Sequence, residues 1–194
     1  MGTVAVSGTD PYPWPWDGDL SPSRLALVVC GAQPALAAAC PAAPAALAVV
    51  AATACALRER GGLVVWVRHG AIPGRRPTWL PDPAQPGWDL AVAPEPADLV
   101  VDAAGWDGTF GSRLDHELRR AGRDHLVLAG LASEVTVDST VRTLNDQGYE
   151  CLVATDACAP LDAELGAHAF ASLTMSGGIF GALGTTTALL DALS

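Results

Sequence analysis

Short apolar runs alternate with longer helical stretches, and this alternation constrains the fold of the 194-residue chain more than any other feature. Runs rich in Val and Leu occupy 25–30, 63–68, 98–102, 125–130 and 150–155, as expected for strands buried on both faces of a parallel sheet. Between or after them, helices are predicted at 43–60, 112–121, 134–147 and 162–174. The first three stop at Gly61, Gly122 and Gly148, a usual helix-ending signal. Repeated strand–helix units predict an α/β, doubly wound three-layer sandwich with a mostly parallel sheet, whose ligands bind beyond the carboxyl ends of the strands.

Charge and cysteine usage narrow the class of protein. The formal net charge is −10 and no basic cluster occurs, which weighs against nucleic acid and anionic membranes as partners. The five cysteines lack the spacing of a zinc site, so we expect reduced thiols, no metal, no cofactor and a cytoplasmic location. Residues 25–57 carry no charge, but Pro34, Pro41 and Pro44 interrupt them, which favours a strand and a buried helix over a membrane span.

Two segments depart from the alternation. Residues 1–22 include a Pro- and Trp-rich stretch and are predicted to form an arm along the protein or a neighbouring subunit, with 23–194 as a single domain. The segment "HGAIPGRRPTWLPDPAQPGWDLAVAPEP" follows the second strand. It is either a loop covering the ligand edge or a structural excursion.

Several motifs carry a resemblance to a known family. "LALVVCGAQ", "LVLAGLASEVTVDSTVRTLNDQGYECLVATDACA" and "MSGGIFGALGTTTALLDAL" resemble, in order and texture, the isochorismatase-like cysteine hydrolases, and most closely the amide hydrolases that include biuret hydrolase. The resemblance implies an Asp, Lys and Cys triad at three strand ends. A thiol at a helix N-terminus beside a lysine ionises readily, an aspartate can move its proton to the leaving amine, and backbone N–H groups hold the oxyanion.

Mapped onto this chain, the resemblance implies that the triad is replaced. The aspartate position, two residues before Gln33, is Gly31; the lysine position is Ala103; and the cysteine position is Thr136. Ser176 stands where the biuret hydrolase branch has a glutamine that resembles a substrate ligand. We expect no cysteine-hydrolase activity from such a set.

Substitute catalytic groups were sought near the predicted strand ends. Thr136 lacks a neighbouring base, so capping or packing at the helix start is favoured over a nucleophile, and Cys30 should point to the opposite face from Gly31. Thr136, Asp102, Asp107 and His69 remain candidates, although Asp102 should face away and His69 could be structural. Trp106 and Asp107, with Thr109 and Phe110, form either an aromatic wall or plain packing. The predicted ligand-binding set is Gly31, His69, Ala103, Trp106, Ala132, Thr136 and Ser176.

Three functions stay open. The chain is a pseudoenzyme that binds a small molecule, in specialised metabolism; or a repurposed enzyme that promotes hydrolysis, elimination, isomerisation or cyclisation without a covalent intermediate; or a structural or regulatory subunit of an oligomer. The small residues of "GLASEV" and the smaller triad side chains predict a retained, larger and less polar pocket, which favours the first hypothesis. The arm and the apolar C-terminal segment predict a homo-oligomer.

Overall fold

A six-stranded parallel sheet forms the centre of the molecule. The computed structural model describes residues 5–72, 74 and 80–194. The sheet order is β3-β2-β1-β4-β5-β6, with every paired strand parallel, which confirms the predicted α/β class. The strands are β1 Leu25–Cys30, β2 Leu63–Gly70, β3 Leu99–Ala104, β4 His125–Leu131, β5 Glu150–Ala159 and β6 Ala182–Gly184.

The four predicted helices are present, each within two residues of its expected ends. Gly61, Gly122 and Gly148 follow the first three with φ values of 84°, 65° and 89°, the left-handed conformation that ends a helix at glycine. Four short elements were not predicted: β6 and three of the helices. The helices are α1 Pro34–Ala37, α2 Ala43–Glu59, α3 Leu114–Arg120, α4 Thr136–Asp146, α5 Ala163–Leu173, α6 Met175–Gly178 and α7 Thr186–Ala192.

Two helical layers cover the sheet. α2 and α7 pack on one face, where Val50 and Leu57 meet Leu27 and Trp66. The other face is covered by α3, α4 and α5 and includes Cys30, which is fully buried as predicted. No helix in the described part of the chain is long and apolar enough to span a bilayer.

The described part of the arm lies against the amino edge of its own sheet. Asp10 forms an antiparallel bridge with Leu183, and Tyr12 donates its hydroxyl to Glu150 at 3.0 Å. Arg24 forms a bidentate pair with Asp124 at 2.8 and 2.9 Å. The boundary between arm and domain at residue 22 stays a prediction.

The segment after β2 returns to the carboxyl edge of the sheet. Ala91 donates its N–H to the Ala32 carbonyl at 2.8 Å, directly after β1. The Gln33 amide also donates to the carbonyl of Trp88 at 3.0 Å. Pro73 and residues 75–79 of the expected covering loop lie outside the described residues. The described remainder lies where a covering loop was expected.

Candidate functional site

Gly31 and Thr136 meet at the carboxyl edge of the sheet. Gly31 directly follows β1 and Thr136 begins α4; a Cβ placed on Gly31 would lie 3.6 Å from Thr136 Cγ2. Ala103 reaches the same edge through β2, where it pairs with His69. β3, β2, β1 and β4 are neighbours in that order. The three positions that the resemblance assigns to the triad therefore lie at the same carboxyl edge of the sheet.

Thr136 is held as a structural residue. Its side chain is fully buried, and its hydroxyl donates to the Leu131 carbonyl at 2.6 Å. A hydroxyl whose proton is committed to a carbonyl has no base to accept that proton, so it is not activated as a nucleophile. The geometry therefore agrees with packing at the start of α4, whereas the expected capping is wrong because the N-cap position is Val135 and no side chain caps the helix.

Four amides at the start of α4 are already occupied. The N–H of Ala132 donates to Cys40 Sγ at 3.2 Å, and the N–H of Ser133 donates to the Ala159 carbonyl at 3.3 Å. Val135 and Thr136 both donate their N–H groups to the Ala132 carbonyl. An oxyanion hole needs donors that are free to meet developing charge. The expectation of converging, available amides is therefore wrong for these four groups.

Cys40 sits beside these amides without the properties of an activated thiol. Burial raises its pKa, only partly opposed by the hydrogen bond from the Ala132 N–H. The nucleophilic form of cysteine is the thiolate, which a raised pKa makes scarce near neutral pH. Cys40 is therefore part of the packing at this edge.

An apolar group fills the space next to Gly31. A Cβ on Gly31 would lie 2.6 Å from Leu36 Cδ1, and Leu36 itself is buried. The prediction that smaller triad residues enlarge the cavity is wrong at this position, because α1 places Leu36 into the space. Trp106 packs against the apolar cluster that contains Leu36. The apolar cluster consists of Leu36, Cys40, Ala43, Ala46, Leu80, Leu131, Ala132 and Ala159.

His69 is a buried titratable group at this edge. Its Nδ1 lies 2.9 Å from the Gly105 carbonyl, so this nitrogen carries the proton and donates it. Gln33 accepts the His69 backbone N–H at 2.7 Å and donates to its carbonyl at 3.3 Å. Burial lowers the pKa of His69 to about 4, which leaves the ring neutral. Nε2 is buried and no described residue offers it a hydrogen bond.

The two aspartate candidates are engaged elsewhere. Asp102 pairs with Arg68 at 2.7 Å and faces away from Ala103, as strand alternation predicts. Asp107 accepts the Thr109 hydroxyl at 2.9 Å and the Thr143 hydroxyl at 2.8 Å. Both carboxylates therefore stabilise local structure.

Ser176 does not join the other predicted ligand-binding residues within this chain. The helix α5 runs back to the amino edge, so α6 places Ser176 near Tyr12, Asn145 and Glu150, where these residues line a shallow depression. Phe110, proposed for an aromatic wall, is 58% exposed. The pocket prediction therefore narrows to the positions around Gly31, His69, Ala103, Trp106, Ala132 and Thr136.

Comparison with known proteins agrees with this architecture. The isochorismatase domain family matches residues 25–187, most of the chain. The chain belongs to the isochorismatase family. Its fold matches a cysteine hydrolase of Pseudomonas syringae pv. phaseolicola, with a TM-score of 0.81 and 19% identity over 90% of this chain and 94% of that one. An isochorismatase family protein of Burkholderia thailandensis matches with a TM-score of 0.78 and 26% identity, over 90% and 97%.

Curated relatives of this family member cover less of its length. The ureidoacrylate amidohydrolase RutB of Variovorax paradoxus is 32% identical over 57% of this chain and 55% of its own length. The isochorismatase family protein YecD of Escherichia coli O157:H7 is 30% identical over 52% and 57%. The chain thus spans little more than half of either relative. No three His, Cys, Asp or Glu side chains in the described ranges are grouped as metal ligands.

Sequence reasoning missed Leu36 and Cys40, which occupy the edge. Both lie in "PALAAAC", an alanine-rich stretch with no periodic signal. Pro34 directly after Gln33 was the one available sign, since proline is favoured at the first position of a helix.

Proposed function

We propose that this isochorismatase family member binds a small, uncharged molecule at the carboxyl edge and does not hydrolyse amides through a covalent intermediate. One observation carries the proposal: the Thr136 hydroxyl and the nearby amides donate to acceptors within the chain. Acyl transfer needs a nucleophile, a base and free oxyanion donors at one point. At Thr136 the hydroxyl donates to a carbonyl instead of to a base, and four of the neighbouring N–H groups are occupied, so the described residues do not form an activated nucleophile there.

The loss of turnover expected without a catalytic triad supports this proposal. In a well-studied triad hydrolase, removing the triad lowers turnover by a factor on the order of a million. The residues at positions 31, 103 and 136 are Gly, Ala and Thr, which carry no charge. An edge without charge favours ligands without charge, because a buried unpaired ion is costly. The RutB relatives are named as amidohydrolases. We propose that this chain does not share that activity.

The test combines turnover with binding. Purified protein should give background rates with ureidoacrylate, biuret, nicotinamide and isochorismate, and Thr136→Val should leave those rates unchanged. Native mass spectrometry should detect a co-purifying small molecule on the intact chain. Turnover of any of these amides that is lost after iodoacetamide treatment would refute the proposal.

A structural or regulatory subunit is the second candidate, and Leu36 favours it. Leu36 packs into the space beside Gly31, as expected if the edge has become core. The two candidates differ in one measurement, since a subunit without a ligand would show only the mass of the polypeptide. Conversion of a bound molecule, in place of simple retention, would support non-covalent catalysis.

A further inference from the structure

His69 offers one unused hydrogen-bond acceptor inside the protein. Because Nδ1 donates to Gly105, the neutral ring carries its lone pair on Nε2, which points away from that carbonyl. Nε2 is enclosed, and no described residue donates to it. A buried polar atom without a partner costs about 1–3 kcal/mol, so such an atom in a folded protein calls for an explanation.

The position of His69 in the sheet indicates where a partner of Nε2 would bind. Along the strand ends, β2 lies between β3, which carries Ala103, and β1, which leads into Gly31. His69 therefore stands between two former triad positions. Gln33 fixes its backbone from both sides and Gly105 fixes its ring, so the direction of Nε2 is set before any ligand arrives.

The surroundings restrict what a partner could be. A Cβ on Gly70 would lie 3.0 Å from the Trp88 ring, and one on Gly105 would lie 3.3 Å from Ile72 Cδ1. The Asp107 carboxylate acts on the pKa of the His69 ring and is itself bonded to Thr109 and Thr143. Among the described residues, the side chains that approach the backbone beside His69 are thus aromatic or apolar, and Nε2 is the buried side-chain acceptor there without a partner.

We propose that His69 Nε2 is the anchoring acceptor for an uncharged aromatic ligand that carries a single N–H or O–H donor. This inference rests on the proposed binding function and names the ligand class for the same edge. The Asp107 carboxylate disfavours an anion, burial of any unpaired ion is costly, and a ligand without a donor would leave Nε2 unpaired. A neutral hydrogen bond of this kind contributes about tenfold in affinity.

Two matched pairs of probes test the class. Phenol and indole carry the donor, whereas anisole and 1-methylindole have nearly the same shape without it. Protein labelled with ¹⁵N shows both the imidazole nitrogens and the backbone amides. The chain has only four histidines, so a His69→Asn spectrum assigns the His69 signals. Phenol and indole should shift the Nε2 signal saturably and bind about tenfold more tightly than their methylated partners.

Two variants separate the effect of losing the Nε2 acceptor from the effect of losing the fold. Asn at position 69 can still donate to Gly105 but ends short of Nε2, so phenol binding should weaken about tenfold, to the anisole level. His69→Gln places an amide oxygen near the former Nε2 position and should keep most of the preference for phenol. Thermal melting establishes that both variants are folded, and the wild-type titration stands without them.

The possible outcomes separate a failure of the His69 inference from a failure of the proposed binding function. If the Gly31, Ala132 and Thr136 amides shift equally with donor and non-donor probes while Nε2 stays fixed, the His69 inference is wrong and edge binding stands. An Nε2 signal that is already hydrogen-bonded and unmoved by probes would mean that a trapped water occupies it, and would also overturn the inference. If no probe shifts any edge amide, the His69 inference is overturned, and the proposed binding function fails as well when native mass spectrometry finds no bound molecule.

Discussion

Leu36 Cδ1 occupies the space that a side chain on Gly31 would need, because a Cβ at position 31 would lie 2.6 Å from it. Gly31 also has a φ of 66°, in the region that side chains disfavour. The two residues therefore form one packing unit, and neither can be changed alone without consequence for the other.

Gly31→Ala should destabilise the protein by about 2–4 kcal/mol, from the left-handed backbone and the overlap with Leu36 together. Leu36→Ala should cost about 2–5 kcal/mol through the cavity it leaves. The double variant should lose less than the sum, because each change relieves the defect of the other. Urea unfolding of the four proteins measures this coupling. Strictly additive losses would show that the two sites are independent.

Restoring the triad should succeed only when Leu36 is shortened. With Gly31→Asp, Ala103→Lys, Thr136→Cys and Leu36→Ala together, the introduced thiol begins α4 beside the new lysine. Both features favour the thiolate, so its pKa should lie well below the free-thiol value of about 8.5. Iodoacetamide rates measured against pH report that pKa. The matched control is Thr136→Cys alone, whose thiol should react slowly; equal rates in both proteins would contradict the convergence of these positions.

Acidification should destabilise the fold through His69. The unfolded histidine binds a proton below about pH 6.5, whereas burial holds the folded pKa at about 4. The unfolded state thus binds more protons between these values, so His69's contribution is complete above pH 6.5 and is lost as the pH falls towards 4. The total is about 3 kcal/mol.

His69→Asn isolates that contribution, since it keeps a donor for Gly105 and removes the titration. From pH 6.5 down to 4, the free energy of unfolding of the variant should fall less steeply, by about 1.4 kcal/mol per pH unit. Parallel curves for the variant and the wild type would show that the ring is already protonated in the folded state.

Thiol labelling should find Cys55 first in the native protein. Cys55 is exposed, whereas Cys30, Cys40 and Cys151 are buried and Cys158 is half-buried. Burial raises the pKa of Cys30 to about 12 and raises those of Cys40, Cys151 and Cys158. A brief iodoacetamide pulse followed by peptide mapping should modify Cys55 alone. Rapid modification of Cys40 would indicate that the apolar cluster opens readily.

The sheet could be predicted because its signals are local and repeated. Apolar runs mark strands buried on both faces, and glycines such as Gly61 and Gly148 mark helix ends, so most elements were placed within a few residues. β6 was missed because three residues contain too few positions to show a period. α7 is as short as α3, but it is not followed by a glycine such as the one that marked the end of α3.

The filling of the site could not be read from the chain in the same way. Whether small residues at positions 31, 103 and 136 leave a cavity depends on where neighbouring side chains point, and Leu36 belongs to a four-residue helix within an alanine-rich stretch. The location of Ser176 could not be predicted for a related reason. A family motif aligns its position in sequence, but the direction of α5 decides which edge of the sheet it reaches.

Gln33 joins three segments of the chain at the carboxyl end of β1. Its side-chain amide is fully buried and joins the end of β1 to the backbone of His69 on β2 and to Trp88 in the following loop. These bonds continue the cross-strand ladder one step past the last strand residue. The glutamine therefore holds the strand ends together through bonds that involve no atom of Gly31, so this part of the architecture does not depend on a side chain at position 31.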